Sequence, residues 1–127
     1  MSNNDKLAGL DPAFRTKFLW VKGGMDAWLS RHLPGRYVIV TEGKRSMARQ
    51  VWLYAAGRTR PGPKVTWTMQ SMHFKGLAVD IAFGGGKPYD VPEAAWEYYG
   101  HLCRQHGLVW GGDWGKTPDR PHCEAQP

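Results

Sequence analysis

Apolar residues recur along the first quarter of the chain with the period of a helix. Phe14, Phe18, Val21, Met25, Trp28 and Leu29 follow one another at three- and four-residue steps, spacing that gathers them on one helical face. Asp11-Pro12 opens the stripe, an acidic N-cap followed by proline at the position where a missing N–H costs nothing. The stripe ends near His32, and Gly23-Gly24 in its middle predicts a weakened or kinked helix. Beyond the turn Leu33-Pro34-Gly35 the pattern changes to the β-branched run Tyr37-Val38-Ile39-Val40, which predicts a short buried strand. A second helix is expected from about Ser46 to Ala56, with Gly57 as its left-handed cap.

Residues 58–72 are rich in turn formers, with Pro61-Gly62 at the apex. The stretch SMHFKGLAVDIAF, residues 71–83, then alternates. Side chains project to opposite faces along a strand, so Leu77, Val79, Ile81 and Phe83 form a core face while Gly76, Ala78, Asp80 and Ala82 share the other. Past Gly84-Gly85-Gly86, Asp90 and Pro92 open a third helix that carries Trp96, Tyr99, Leu102 and Cys103 on one side and stops at Gly107. Leu108-Val109-Trp110 predicts another strand, Gly111 to Arg120 an irregular loop, and Pro121 to Glu124 the end of the fold. Helices and strands mix without regular alternation. This predicts an α+β fold, a small, mostly antiparallel sheet flanked by about three helices, formed by residues 1–127 as one domain with no separate wall-binding domain.

Composition narrows the partners. With 127 residues, 42% of them apolar, the chain can bury a core without staples. Seven tryptophans are many for this length, and Trp67, Trp110 and Trp114 flank the segments of interest, as groove lining or as core. A net charge of +6 favours anionic partners, an anionic cell-wall surface among them. The cations are scattered, and no nucleic-acid-binding signature accompanies them, so no nucleic-acid partner is expected. Cys103 and Cys123 are too few for a disulfide scaffold; buried free thiols are the default reading, with a single disulfide left open. No signal-peptide core or membrane span is present, which predicts synthesis in the cytoplasm without a standard export signal. A monomer is expected.

Asp80 stands out because its face of the strand is otherwise made of the smallest residues, which leaves room beside the carboxylate. His73 lies just before the strand, and Asp119-Arg120-Pro121-His122 supplies a second histidine with an acid three positions earlier. Pro121 fixes its own φ and restricts Arg120, giving Asp119 and His122 a defined local geometry. Two imidazoles and a carboxylate are a standard donor set for catalytic zinc with a fourth position left for water, and Asp119 is the spare acid to take that water's proton. Spacing alone leaves open the alternative of histidines with separate structural roles.

Ser71, His73, Gly76, Ala78 and Asp80 form S-x-H-x-x-G-x-A-x-D, and Asp119, His122 and Glu124 form D-x-x-H-x-E. Together they resemble the M15 family of zinc peptidases, which includes D-Ala-D-Ala carboxypeptidases and dipeptidases and the phage L-alanyl-D-glutamate endopeptidases. TEGKRSMARQVWLYAAGRT, residues 41–59, is similar to the family's strand-to-helix segment, and the likeness runs from about Leu10 to Glu124. The resemblance implies a hedgehog/D-Ala-D-Ala-peptidase-like fold, zinc held by His73, Asp80 and His122, and Asp119 as catalytic acid/base. Arg45 would polarise the scissile carbonyl and stabilise the oxyanion; its alternative is a solvated arginine at a helix start. Ser71 would bind substrate or orient His73, and Gln50 would line the groove, unless both are local structure. Glu124 would fix a ligand histidine's tautomer or be a plain surface acid. An aspartate at 119, where the dipeptidase branch carries glutamate, favours the endopeptidase branch. Two positions depart from the family pattern: Lys44 replaces an aromatic and Cys123 a phenylalanine, the latter read as core packing because neighbours on a strand point oppositely.

The function implied is zinc-dependent cleavage of the L-alanyl-D-glutamate bond in the peptidoglycan stem peptide, by a phage endolysin that reaches the wall after release from the host cytoplasm. The alternatives are a D,D-carboxypeptidase or dipeptidase of the same family and a non-catalytic wall-binding module.

Overall fold

A computed structural model describes residues 6–59 and 72–127. Helix α1 spans Pro12–His32. The Asp11 carboxylate caps it by accepting from the Phe14 N–H at 3.0 Å, and Arg31 and His32 in the last turn complement the negative end of the helix dipole. Phe14, Phe18, Val21, Met25 and Leu29 are all buried, each contributing on the order of 1.5–3 kcal/mol of burial. The two glycines do not interrupt the helix: α1 runs through Gly23-Gly24 without a break. Gly24 instead provides clearance, since a Cβ there would lie 3.1 Å from Leu102 Cδ2. Close helix packing outweighs the weak helix propensity of glycine.

Strand β1 (Tyr37–Glu42) leads to helix α2 (Met47–Ala55), where Ser46 Oγ accepts from the Arg49 N–H. Gly57 follows with φ +73°, as its predicted left-handed role requires. Strand β2 (Ala78–Gly84) precedes helix α3 (Glu93–Gln105). Pro92 occupies the α3 cap position without a side-chain hydrogen bond, so Asp90 does not cap this helix. Strand β3 (Leu108–Trp110) passes through a 3₁₀ turn, Gly111–Asp113, toward strand β4 (His122–Ala125).

The four strands lie in the order β1-β2-β4-β3, with every neighbouring pair antiparallel. The last strand thus enters the middle of the sheet, between β2 and β3. Val79, Ile81 and Phe83 join the core with the apolar faces of α1 and α3, while Ala78 and Ala82 are buried outside that cluster. Two expectations change. Gly76 sits in a turn with φ +75° before β2 begins, so it does not share the Asp80 face. The run at Tyr37–Val40 is an edge strand with one face in the core: Val38 and Val40 are buried, whereas Tyr37 is 52% exposed. Among the described residues no helix is long and apolar enough to cross a membrane.

Candidate metal centre

The register of β2 against β4 sets Asp80 opposite His122 and Ala78 opposite Glu124, with Val79 opposite Cys123. Directly opposed residues of an antiparallel pair project to the same face. Asp80, His122 and Glu124 therefore share one side of the sheet, and Cys123 faces the core. His73 reaches the same side from the turn before β2. The clearance predicted beside Asp80 is filled by two imidazoles, whose ring centroids stand 5.1 Å apart and nearly perpendicular.

His73 Nε2 lies 3.3 Å from Asp80 Oδ2, and His122 Nδ1 lies 3.0 Å from Asp80 Oδ1. One ligand atom from each residue falls within 4.8 Å of the others. Ligand atoms about 2.0–2.1 Å from a tetrahedral zinc stand roughly 3.4 Å from one another, so these separations suit the ion. The outward nitrogens are also held. His73 Nδ1 is 3.1 Å from the Gly43 carbonyl oxygen, which can only accept. His122 Nε2 is 2.7 Å from Glu124 Oε1. An N–H donated outward from each ring leaves the inner nitrogen available to a metal held between it and Asp80, the arrangement that fixes the tautomer of a metal-binding histidine.

Both rings are buried, at 5% exposure for His73 and 6% for His122, and the charges respond. Burial raises the Asp80 carboxyl, but hydrogen bonds and charge from His122 and His73 prevail and hold it well below the usual carboxylate range. Burial depresses His122, yet its hydrogen bonds to Asp80 and Glu124 push it up to about 9. Without a metal, a proton on His122 offsets part of the negative charge of Asp80 and Glu124.

Asp119 reaches the edge of the site on an exposed loop. Its N–H donates to the Gly111 carbonyl at 2.9 Å and its carbonyl accepts from the His122 N–H at 3.1 Å. Partial burial, and next the charge of Asp80, raise its carboxyl above the ordinary value, against the opposing effect of His122 and His73. Gly111 makes the approach possible, because a Cβ there would stand 2.2 Å from the Asp119 carbonyl oxygen and 2.9 Å from His122 Cβ. In the sequence Gly111 is a loop residue and Gly43 part of the strand-to-helix segment, and the sequence alone assigns neither a role in the site. The only signal was that both are glycines beside motif residues.

Arg45 approaches from the other side. Its N–H donates to the His73 carbonyl at 2.8 Å, while its guanidinium bonds Glu42 at 3.1 Å and Gln50 at 2.7 Å. Gln50 is fully buried, so it holds the arginine instead of lining an open groove. Ser71 and Trp67 lie outside the described residues. Trp114 packs against His122 with ring centroids 5.0 Å apart, whereas Trp110 is buried and donates from Nε1 to the Arg120 carbonyl, which makes it core. Cys103 and Cys123 are free and buried. A hydrogen bond with Cys103 and then burial push the Cys123 thiol well up, which keeps it protonated and unsuited to bind metal.

Two histidines and an aspartate brought to one point, His73 from a turn and Asp80 and His122 from the sheet, form a group that could hold a metal ion, and each histidine is held from behind. The M15 peptidase model described as D-alanyl-D-alanine carboxypeptidase matches residues 64–125. The peptidoglycan L-alanyl-D-glutamate endopeptidase CwlK of Bacillus subtilis (strain 168) is 35% identical over 102 residues, covering 71% of this chain and 61% of CwlK. The chain thus spans about three-fifths of the length of that relative. The fold matches the Serratia marcescens L-Ala D-Glu endopeptidase ChiX with a TM-score of 0.66 at 24% identity, over 98% of this chain and 86% of ChiX. It also matches the vancomycin resistance D,D-pentapeptidase VanY in complex with Zn(II), with a TM-score of 0.62 at 18% identity, over 91% of this chain and 72% of VanY. Residues 64–125 thus match an M15 peptidase model, and the fold is that of the two solved peptidases.

Proposed function

We propose that the protein is a zinc-dependent peptidoglycan endopeptidase that hydrolyses the L-alanyl-D-glutamate bond of the stem peptide. The observation that carries this reading is the convergence of His73, Asp80 and His122 within 4.8 Å in a chain 35% identical to an enzyme of that specificity. His73 Nε2, Asp80 and His122 Nδ1 would hold the ion. Zinc at such a site supplies Lewis acidity and lowers the pKa of water toward about 7.

The chain's own residues supply the rest. Asp119, with its carboxyl raised, takes a proton from the attacking water and returns it to the departing amine nitrogen of D-glutamate. Arg45, held by Glu42 and Gln50, presents positive charge to the oxygen on which negative charge develops. Gly43 and Glu124 keep the two imidazoles in the required tautomer. We extend the proposal to a phage endolysin that acts on the wall after release from the host cytoplasm, with the net charge of +6 drawing it to an anionic wall surface.

The family description as D-alanyl-D-alanine carboxypeptidase favours a second reading, removal of terminal D-alanine. Digestion of purified peptidoglycan by the zinc-loaded protein separates the two. New amino-terminal D-glutamate is the expected product, whereas released D-alanine supports the carboxypeptidase. No product, or equal product from His73→Ala, overturns the metallopeptidase reading.

A further inference from the structure

A cationic cavity of about 320 Å³ opens on the chain segment that backs His73, lined by Lys6, Glu42, Gly43, Lys44, Arg45 and Arg49, with Ser46 at the start of α2. Four of these side chains carry positive charge and one carries negative. The single carboxylate is already engaged: Glu42 Oε1 lies 3.1 Å from Arg45 Nε and 4.0 Å from Arg49 Nε. Among the described residues Lys6 and Lys44 have no ion-pair partner.

Lys44 is placed with unusual definition for a surface lysine. The residue before it, Gly43, accepts a hydrogen bond from His73 through its carbonyl, and the residue after it, Arg45, donates its N–H to the His73 carbonyl. One metal-ligand histidine therefore brackets Lys44 from both sides. The lysine stem runs past Gly9, where an added Cβ would lie 3.1 Å from Lys44 Cδ. A positive cavity joined through Gly43 and Arg45 to a metal-ligand histidine suits an anionic group of the substrate.

The L-alanyl-D-glutamate substrate has such a group. In a stem peptide continued through the glutamate side chain, the glutamate α-carboxylate stays free, on the carbon bonded to the scissile nitrogen. We propose that Lys44 and Lys6 bind this α-carboxylate and make the enzyme selective for stem peptides in which it is not amidated. The inference rests on the endopeptidase reading and deepens it. Arg45 keeps its separate role at the scissile carbonyl. Arg49, at the rim over Trp52 at 5.0 Å, adds longer-range attraction.

Two synthetic stem peptides test this, identical except that one carries the free glutamate α-carboxylate and the other its carboxamide. Cleavage by zinc-loaded wild type and by Lys44→Met is compared as kcat/KM, with Lys6→Met as a second variant. Wild type is expected to favour the free acid by about tenfold or more, in line with a charge-assisted hydrogen bond, and Lys44→Met to bring that ratio toward one. Calorimetric titration of the same proteins with the γ-linked D-glutamyl product, acid against amide, is expected to show the same loss of discrimination. Equal cleavage of both peptides by wild type, or an unchanged ratio in both variants, overturns the carboxylate site while leaving the endopeptidase intact. Cleavage of neither peptide by wild type overturns the endopeptidase reading and the inference with it. A misfolded Lys44→Met, recognised by its melting temperature, passes the decision to Lys6→Met.

Discussion

His122 and Glu124, two residues apart on β4, meet through Nε2 and Oε1 at 2.7 Å, while the opposite nitrogen of His122 lies 3.0 Å from Asp80. The imidazole is thus gripped on its outer edge and presents its inner edge to the centre. Removing the outer acceptor frees the ring to rotate and to change tautomer. Glu124→Gln is expected to weaken zinc binding by about 10- to 100-fold while leaving the fold intact, as read by competition with a chromogenic chelator. Unchanged affinity would show that Glu124 is only a surface acid.

The proton on His122 competes with the metal. Its folded-state pKa, about 9, stands above the ordinary 6.5. Its contribution to the metal-free fold is therefore complete below about pH 6.5 and is lost as pH rises through about 9. Asp80 is shifted in the other direction, so its contribution is present above about pH 3.8 and is lost as pH falls from there toward its lowered value. Melting temperatures of the metal-free protein should fall on the alkaline side between about pH 7 and 10, and zinc loading should flatten that slope. At pH 7.5 zinc binding should release about one proton from His122, measurable by calorimetry in buffers of different ionisation enthalpy. An alkaline slope identical with and without zinc would contradict this account.

Asp119 borders the site without belonging to the three-residue donor set. Asp119→Asn is expected to retain zinc and melting temperature but to lower kcat by about 10²- to 10⁴-fold, the usual worth of a positioned acid/base. Metal content and turnover measured on one preparation check it. Loss of zinc in step with activity would make Asp119 a ligand or a structural residue.

Gly111 meets the Asp119 carbonyl and the His122 Cβ, so even one methyl group must displace the loop. Gly111→Ala is expected to destabilise the fold by about 1–3 kcal/mol through overpacking and to reduce activity beyond what the lost stability explains. Gly23→Ala is the control: Gly23 has nothing within 4 Å of an added Cβ and sits mid-helix, where alanine should stabilise by about 0.5–1 kcal/mol. Chemical denaturation of both variants gives the comparison.

Local pattern carried much of this molecule because periodicity and capping depend on near neighbours. The stripe from Phe14 to Leu29, the Asp11 cap, the Gly57 and Gly107 stops and the core side of β2 were all legible from spacing. The unbroken α1 and the one-sided β1 were not, because Leu102 against Gly24 and the edge position of Tyr37 are set by distant partners. For the site, residue types and motif order pointed to His73, Asp80 and His122 as the donors. That they share one point was decided by β4 entering between β2 and β3, in the register that sets Asp80 opposite His122. A one-residue slip would have sent His122 into the core and Cys123 to the metal side. The backing of His73 by Gly43 and the Lys44 cavity likewise depend on chain segments some thirty residues or more away, whereas Glu124 backs His122 from two positions along the same strand. Sequence alone determined which chemical groups were available; long-range strand pairing decided which of them meet.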